Sequence, residues 1–246
     1  LVKLVTSKHP EELLTAYETG ITSVILPEFD LCMETEQHNP HHLYNVGMHT
    51  IHAMEVIPAD KVLRLAMLFH DMGKPVCRET DERGIDHFHG HPQVSEEITG
   101  KVLRRLKFDN DTVYMVKKLV RCHDQYIPAD ERGVRRAMWR VGEDAFPLLL
   151  QVKKADMEAQ STFLIEEKEK NLQAVGRIYQ EILEKKQCVS LKTLAVNGKD
   201  LMDEAGYVPG KELGTILQEL LQLVIEEPEL NDKGTLLKEA RQRRNR

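Results

Sequence analysis

Leu68-Phe69-His70-Asp71-Met72-Gly73-Lys74-Pro75 is the stretch on which the reading of this chain turns. It ends a helical pattern with an imidazole beside a carboxylate. Alone, such a pair says little, and a second one stands at His123-Asp124. Its company gives it meaning: His49 upstream, then His89, His91, His123 and Asp156 downstream. Imidazole nitrogens mixed with carboxylate oxygens suit first-row divalent metals. Six such side chains at the ends of successive helices are enough for two ions. Two ions a short distance apart clamp the attacking and leaving oxygens of a phosphoryl displacement. The joint pattern therefore points to a metal-dependent phosphohydrolase site. Taken singly, each His is better explained as a half-buried, hydrogen-bonded helix residue, and the chain's 11 histidines raise the odds of chance clustering.

Around the pair the periodicity is helical nearly everywhere. Leu43, Val46, Thr50 or Ile51, Met54 and Ile57 recur at three- and four-residue steps, as do Val62, Leu65 and Phe69. Further patterns predict helices over about 92–107, 110–122, 131–141 and 143–157, and a long charged one over 163–186. Aromatics make up only 5% of residues and alternating β-branched runs are absent, so the fold class is all-α. Three regions are expected. Residues 1–40 carry one or two helices, with Pro10 near a start and Gly20 at an end. Residues 41–160 hold every candidate ligand, and 161–246 form a long helix followed by a glycine-punctuated tail.

The length of 246 residues, with 41% hydrophobic and 30% charged residues, allows a real core in a soluble protein. No apolar run approaches a membrane span, so no membrane partner is expected. Cys32, Cys77, Cys122 and Cys188 are scattered singly and read as the reduced thiols of a cytoplasmic protein. The net charge of −6 argues against indiscriminate nucleic-acid binding. Yet Lys101 to Arg140 holds eleven Lys or Arg against five Asp or Glu, and the chain ends Arg241-Gln242-Arg243-Arg244-Asn245-Arg246. Local basic surfaces on an acidic protein fit a polyanion docked at defined places, although ordinary solvated helix faces explain them equally well. The chain opens at Leu1 without an initiating Met, as a piece of a longer product would.

Within the candidate site, His49 and His52 are three residues apart and share a helix face, and only one need be a ligand. Gly73 is expected to stop the helix that begins near Ala59. Lys74 then lies close enough to meet a phosphate as a point charge. Pro92 opens the helix that follows His87-Phe88-His89-Gly90-His91.

At this point His49…His70-Asp71…His91…His123…Asp156 resembles the HD superfamily of metal-dependent phosphohydrolases. The resemblance implies a helical bundle in which His49, His70, Asp71 and Asp156 bind one divalent ion. His91 and His123 match the extra histidines of two-metal members, with Asp71 bridging. Gly90-His91 followed by Ser95 fits the family spacing better than His89 does. The ion would be Mn, Fe, Ni, Co, Zn or Mg, and one or two are expected. Asp71 and Lys74 are the expected catalytic residues, through attack of a metal-activated water on phosphorus. Lys74, and one of Arg132, Arg135 or Arg136, are expected to hold the substrate phosphate. Asp124 has no place in that pattern and reads as structural.

The resemblance narrows over nearly the whole chain. Gly20-Ile21-Thr22 through Leu26-Pro27-Glu28-Phe29-Asp30, Gln37-His38-Asn39-Pro40-His41-His42-Leu43-Tyr44-Asn45-Val46 and Asp86-His87-Phe88-His89-Gly90-His91 are similar to bacterial CCA-adding tRNA nucleotidyltransferases that carry an HD domain. So is the tail Asn197-Gly198-Lys199-Asp200-Leu201-Met202 with Gly206, Gly210 and Gly214. Gly206 is expected to close one helix, Gly210 to open the next, and Gly214 to let that helix approach a neighbour. The departure is large: no Gly-rich strand–helix entry with two Mg-binding aspartates precedes this region. Nucleotide addition is therefore expected only together with a head domain absent here. Two readings follow. One is a hydrolase of phosphomonoesters, cyclic phosphodiesters or nucleotides; the other is a tRNA-holding body whose metal site is inherited scaffold. The complete ligand set favours the first. tRNA or another phosphate-bearing substrate is the expected partner.

Overall fold

The structure, a computed structural model, describes residues 1–244; Asn245 and Arg246, the end of the expected basic tail, lie outside the described residues. Helices dominate, in the order α1 (Val2–Val5), α2 (Glu12–Glu18), α3 (Ile21–Ile25), α4 (Pro27–Met33), α5 (Val46–Val56), α6 (Lys61–Phe69) and α7 (Lys74–Cys77). Two short strands follow, β1 (Glu79–Thr80) and β2 (Asp86–His87). Then come α8 (His91–Arg105), α9 (Asn110–Cys122), α10 (Glu131–Val141), α11 (Phe146–Glu158), α12 (Ile165–Glu184), α13 (Gly198–Ala205), α14 (Lys211–Glu226) and α15 (Lys233–Arg244). The fold is all-α, with the antiparallel pair Glu79↔His87 and Thr80↔Asp86 as its one sheet among the described residues. No helix there is long and apolar enough to cross a membrane. The chain forms two compact units, one from residues 1–126 and 147–172, the other from 127–146 and 173–246.

In the first unit, side-chain caps set the helix starts. Asn45 accepts from the Met48 N–H and so begins α5 at Val46, which leaves Leu43 and Tyr44 outside the helix and exposed. The apolar periodicity that included Leu43 thus overran the true start by one turn. Asp60 accepts from the Val62 and Leu63 N–H groups, and Asp109 from Thr112; each cap contributes about 1 kcal/mol. Every residue of α6 from Leu63 to Phe69 is buried, the pattern of a helix enclosed on all sides. Arg64 survives there because its guanidinium donates to the carbonyls of Ile57, Pro58 and Val5. Helices α8 and α9 pack on α6, which ends at the His70-Asp71 turn.

Gly73 does not stop the helix as expected. Its φ of −83° is right-handed, and the chain turns once and continues as α7. Space explains the residue instead. A Cβ here would stand 2.5 Å from the His91 carbonyl oxygen and 2.7 Å from the Ser95 nitrogen. The Gly73 N–H donates to the buried Ser95 hydroxyl at 2.8 Å, locking the His-Asp turn to the first turns of α8.

The second unit packs α10, α13, α14 and α15 around Val196, Leu201, Leu220, Val224 and Leu236. Asn197 and Asp200 form a reciprocal capping box at the start of α13. Gly206 closes that helix at φ +74°, as expected, and Gly210 precedes α14. Gly214 corrects its expectation: a Cβ there would meet nothing within 4 Å, so no neighbour requires it. The buried Tyr207 hydroxyl donates to the Ala240 carbonyl at 2.9 Å, tying the end of α13 to α15.

Candidate metal centre

Six candidate ligands from five helices converge within the first unit. His49 lies in the middle of α5, His70-Asp71 just past α6, His91 opens α8, His123 follows α9, and Asp156 lies near the end of α11. His49 Nε2 and His70 Nε2 are 3.2 Å apart, and Asp156 Oδ1 is 3.0 Å from the first and 3.6 Å from the second. His91 Nε2 and His123 Nε2 form a second pair at 3.3 Å. Asp71 stands between the pairs. Its Oδ2 faces His70 at 3.2 Å and His49 at 3.7 Å, while its Oδ1 faces His91 at 3.3 Å and His123 at 3.6 Å. Two three-residue groups, His49-His70-Asp71 and Asp71-His91-His123, could each hold a metal ion.

The hydrogen bonds behind the rings test that fit. The Nδ1 atoms of His70, His91 and His123 lie 2.7, 2.8 and 2.7 Å from the carbonyls of Met67, Phe88 and Val120, three residues earlier in each case. His49 Nδ1 lies 3.3 Å from the Ala159 carbonyl. A carbonyl only accepts, so each Nδ1 carries a hydrogen, and in the neutral ring Nε2 is then a lone pair. Two lone pairs facing each other at 3.2–3.3 Å repel unless a proton or a metal ion lies between them. Donors about 2.0–2.1 Å from one ion are themselves about 3 Å apart, the spacing found here. The buried Asp71 Oδ2 also accepts no hydrogen bond, although the Lys74 ammonium stands 2.7 Å away. The donor set therefore fits divalent metal, and the carbonyl behind each ring orients its imidazole.

The charges point the same way. Burial would push the His70 imidazolium down, but the Asp71 and Asp156 carboxylates outweigh it and hold its pKa up at about 10. Burial pushes His123 down despite Asp71. Burial would raise both carboxyls, yet His70 and Lys74 hold Asp71, and His49 and His70 hold Asp156, well below the usual range.

The cluster floors a cavity of about 670 Å³. Lys74 is buried there, donating to Gln37 Oε1 at 2.8 Å and lying 3.5 Å from His42 Nε2. His42, His41, Gln160 and Lys168 also line it, and sequence reasoning did not single them out as site residues. The adjacent His41-His42 pair was the available signal. His42 is pushed down to about 3 by burial and then by Lys74. His52 pairs with Glu55, leaving His49 as the inward member of the i,i+3 couple. His89 and Asp124 line the cavity. Arg132 and Arg136 belong to the second unit and pair there with Glu226. Arg135, buried, donates to the Ile225 carbonyl and to Gln187.

An all-α chain with an imidazole–carboxylate cluster able to hold divalent metal is the class that this fold and site define. Residues 79–240, more than half the chain, match the family model described as tRNA nucleotidyltransferase domain 2, putative. The chain belongs to the tRNA nucleotidyltransferase family. It is similar to the A-adding tRNA nucleotidyltransferase of Deinococcus radiodurans, 30% identical over 222 residues, which is 85% of this chain and 49% of that protein. It is also similar to the CC-adding tRNA nucleotidyltransferase of Thermus thermophilus, 34% identical over 209 residues, or 82% and 46% of the two chains. The chain thus spans about half the length of these curated relatives.

Proposed function

We propose that this chain is the body of a tRNA nucleotidyltransferase-type protein and carries an HD-type metal-dependent phosphohydrolase site. His49, His70, Asp71 and Asp156 would hold one ion; His91 and His123, together with Asp71, would hold a second. The observation behind this reading is the split of the Asp71 oxygens between two imidazole pairs whose Nε2 atoms converge. Bound metal supplies Lewis acidity toward a phosphoryl oxygen and lowers the pKa of the attacking water. The chain does the rest. Lys74, held in place by Asp71 and Gln37, presents a fixed positive charge to the substrate phosphoryl group and needs little reorganisation as charge develops. The carbonyls behind the four rings keep their lone pairs aimed inward. The substrates are phosphomonoesters, cyclic phosphodiesters or nucleotides.

The test is hydrolysis of p-nitrophenyl phosphate, cyclic nucleotides and nucleotides by metal-replete protein. Turnover should need added metal and vanish in Asp71→Ala. Failure on all three substrate classes would favour the second reading, a tRNA-holding body whose metal site is scaffold. Its support is family membership with A-adding and CC-adding enzymes of tRNA. On either reading, residues 161–246 and the basic stretch Lys101–Arg140 contact the tRNA backbone.

A further inference from the structure

Lys168, in the first turn of α12, lines the mouth of the cavity and differs from the other lysines around it. Lys74 is paired with a carboxylate, and Lys153 donates to the carbonyls of His123 and Gln125. The Lys168 ammonium donates to Gln160 Oε1 at 2.6 Å and lies 3.3 Å from His41 Nδ1. Neither of these two contacts is a carboxylate, so no direct ion pair closes off its charge. An ammonium has three donors, and two contacts leave one for a ligand. Its placement is fixed with respect to the metal cluster. The Gln160 amide holds Lys168 through its oxygen and donates through its nitrogen to Asp156 Oδ1 at 3.2 Å. One side chain thus couples a candidate metal ligand to a cation at the rim. A half-buried ammonium costs desolvation, which here pushes its pKa down; Asp156 and Asp124 oppose that shift without touching the ammonium and do not overcome it.

We propose that Lys168, oriented by Gln160 and His41, is a second anion subsite that binds a phosphate of the substrate other than the one hydrolysed. The preferred substrate class is then a nucleotide carrying two separate phosphates, as in a bisphosphate or a chain end, over a lone phosphomonoester. This rests on the phosphohydrolase reading for its chemistry but not for its binding.

The probes are adenosine 3′,5′-bisphosphate and adenosine 5′-monophosphate, titrated calorimetrically into metal-loaded protein and assayed for phosphate release. The wild type should bind the bisphosphate about tenfold more tightly, as one charge-assisted hydrogen bond allows. Lys168→Ala should bring that ratio close to one and Lys168→Arg should retain most of it. In turnover the same ratio should appear through KM. Equal affinities in the wild type, or loss of both affinities by the same factor in Lys168→Ala, would overturn the subsite. Absence of phosphate release with the binding ratio intact would overturn the hydrolase reading alone.

Discussion

The Gly73 amide and the Ser95 hydroxyl meet at 2.8 Å in the buried interior, and a methyl group on Gly73 would collide with the same turn of α8. This contact sets the His-Asp turn against the helix that begins with His91. Gly73→Ala should therefore lose about 1–3 kcal/mol through overpacking. Ser95→Ala should lose a similar amount, because it leaves a buried N–H without an acceptor. Urea unfolding checks both; wild-type stability in either variant would refute the fit.

Asp86 clamps two walls of the cavity. Its carboxylate accepts from the His38 N–H at 2.8 Å and Thr80 Oγ1 at 2.6 Å and pairs with Arg78 at 3.0 Å. Burial would raise this carboxyl, but those partners win and hold it well below the ordinary range. A depressed folded-state pKa gives stability that is present above the unfolded value of about 3.9 and is lost as pH falls toward the folded value. Asp86→Asn should thus be less stable than wild type at pH 7, with the gap narrowing below about pH 4. Thermal unfolding across pH gives the answer, and a gap independent of pH would contradict it.

Lys153 supports the second imidazole pair from behind, donating to the His123 carbonyl at 2.7 Å and the Gln125 carbonyl at 2.9 Å. Lys153→Met should release His123 and weaken binding of one of the two ions by about 10–100-fold, the usual effect of losing an outer-shell partner. A calorimetric metal titration should show one step weakened and the other little changed. Two unaltered steps would show that Lys153 does not position the site.

tRNA contact through the backbone predicts a steep salt dependence, since each neutralised phosphate releases counterions. Affinity should vary little among tRNAs and exceed that for duplex DNA of matched charge, whose groove shape differs. An anisotropy titration at several salt concentrations measures this. No binding at low salt, or equal binding to the DNA, would remove tRNA from the account.

Much of this was legible in the sequence because helices write a simple code. Asn110–Cys122 and Glu131–Val141 match their patterns at both ends, where Asp109 and Asp130 cap the first turns. The α5 start was misplaced because Leu43 continues the apolar period past the Asn45 cap, and periodicity alone cannot see a cap. The candidate ligands were legible as chemistry, since few other purposes gather imidazoles and carboxylates at helix ends. Lys153, Gln160 and Lys168 were not, because their roles depend on which carbonyl or amide lies opposite them. Gly73 was singled out for its backbone freedom, whereas the close approach of α8 explains it. That approach is a tertiary fact with no local mark. Arg135 illustrates the converse: closeness in sequence suggested phosphate binding, yet its guanidinium is buried against the Ile225 carbonyl.

The central claim is that Asp71 joins two metal sites, and metal content tests it most directly. Protein incubated with Mn, Co, Ni or Zn, freed of excess ion and analysed for metal should retain two ions per chain. Asp71→Ala, checked for unchanged helical circular dichroism, should retain almost none. Equal metal in the folded variant, or none in the wild type with any of the four ions, would contradict the account.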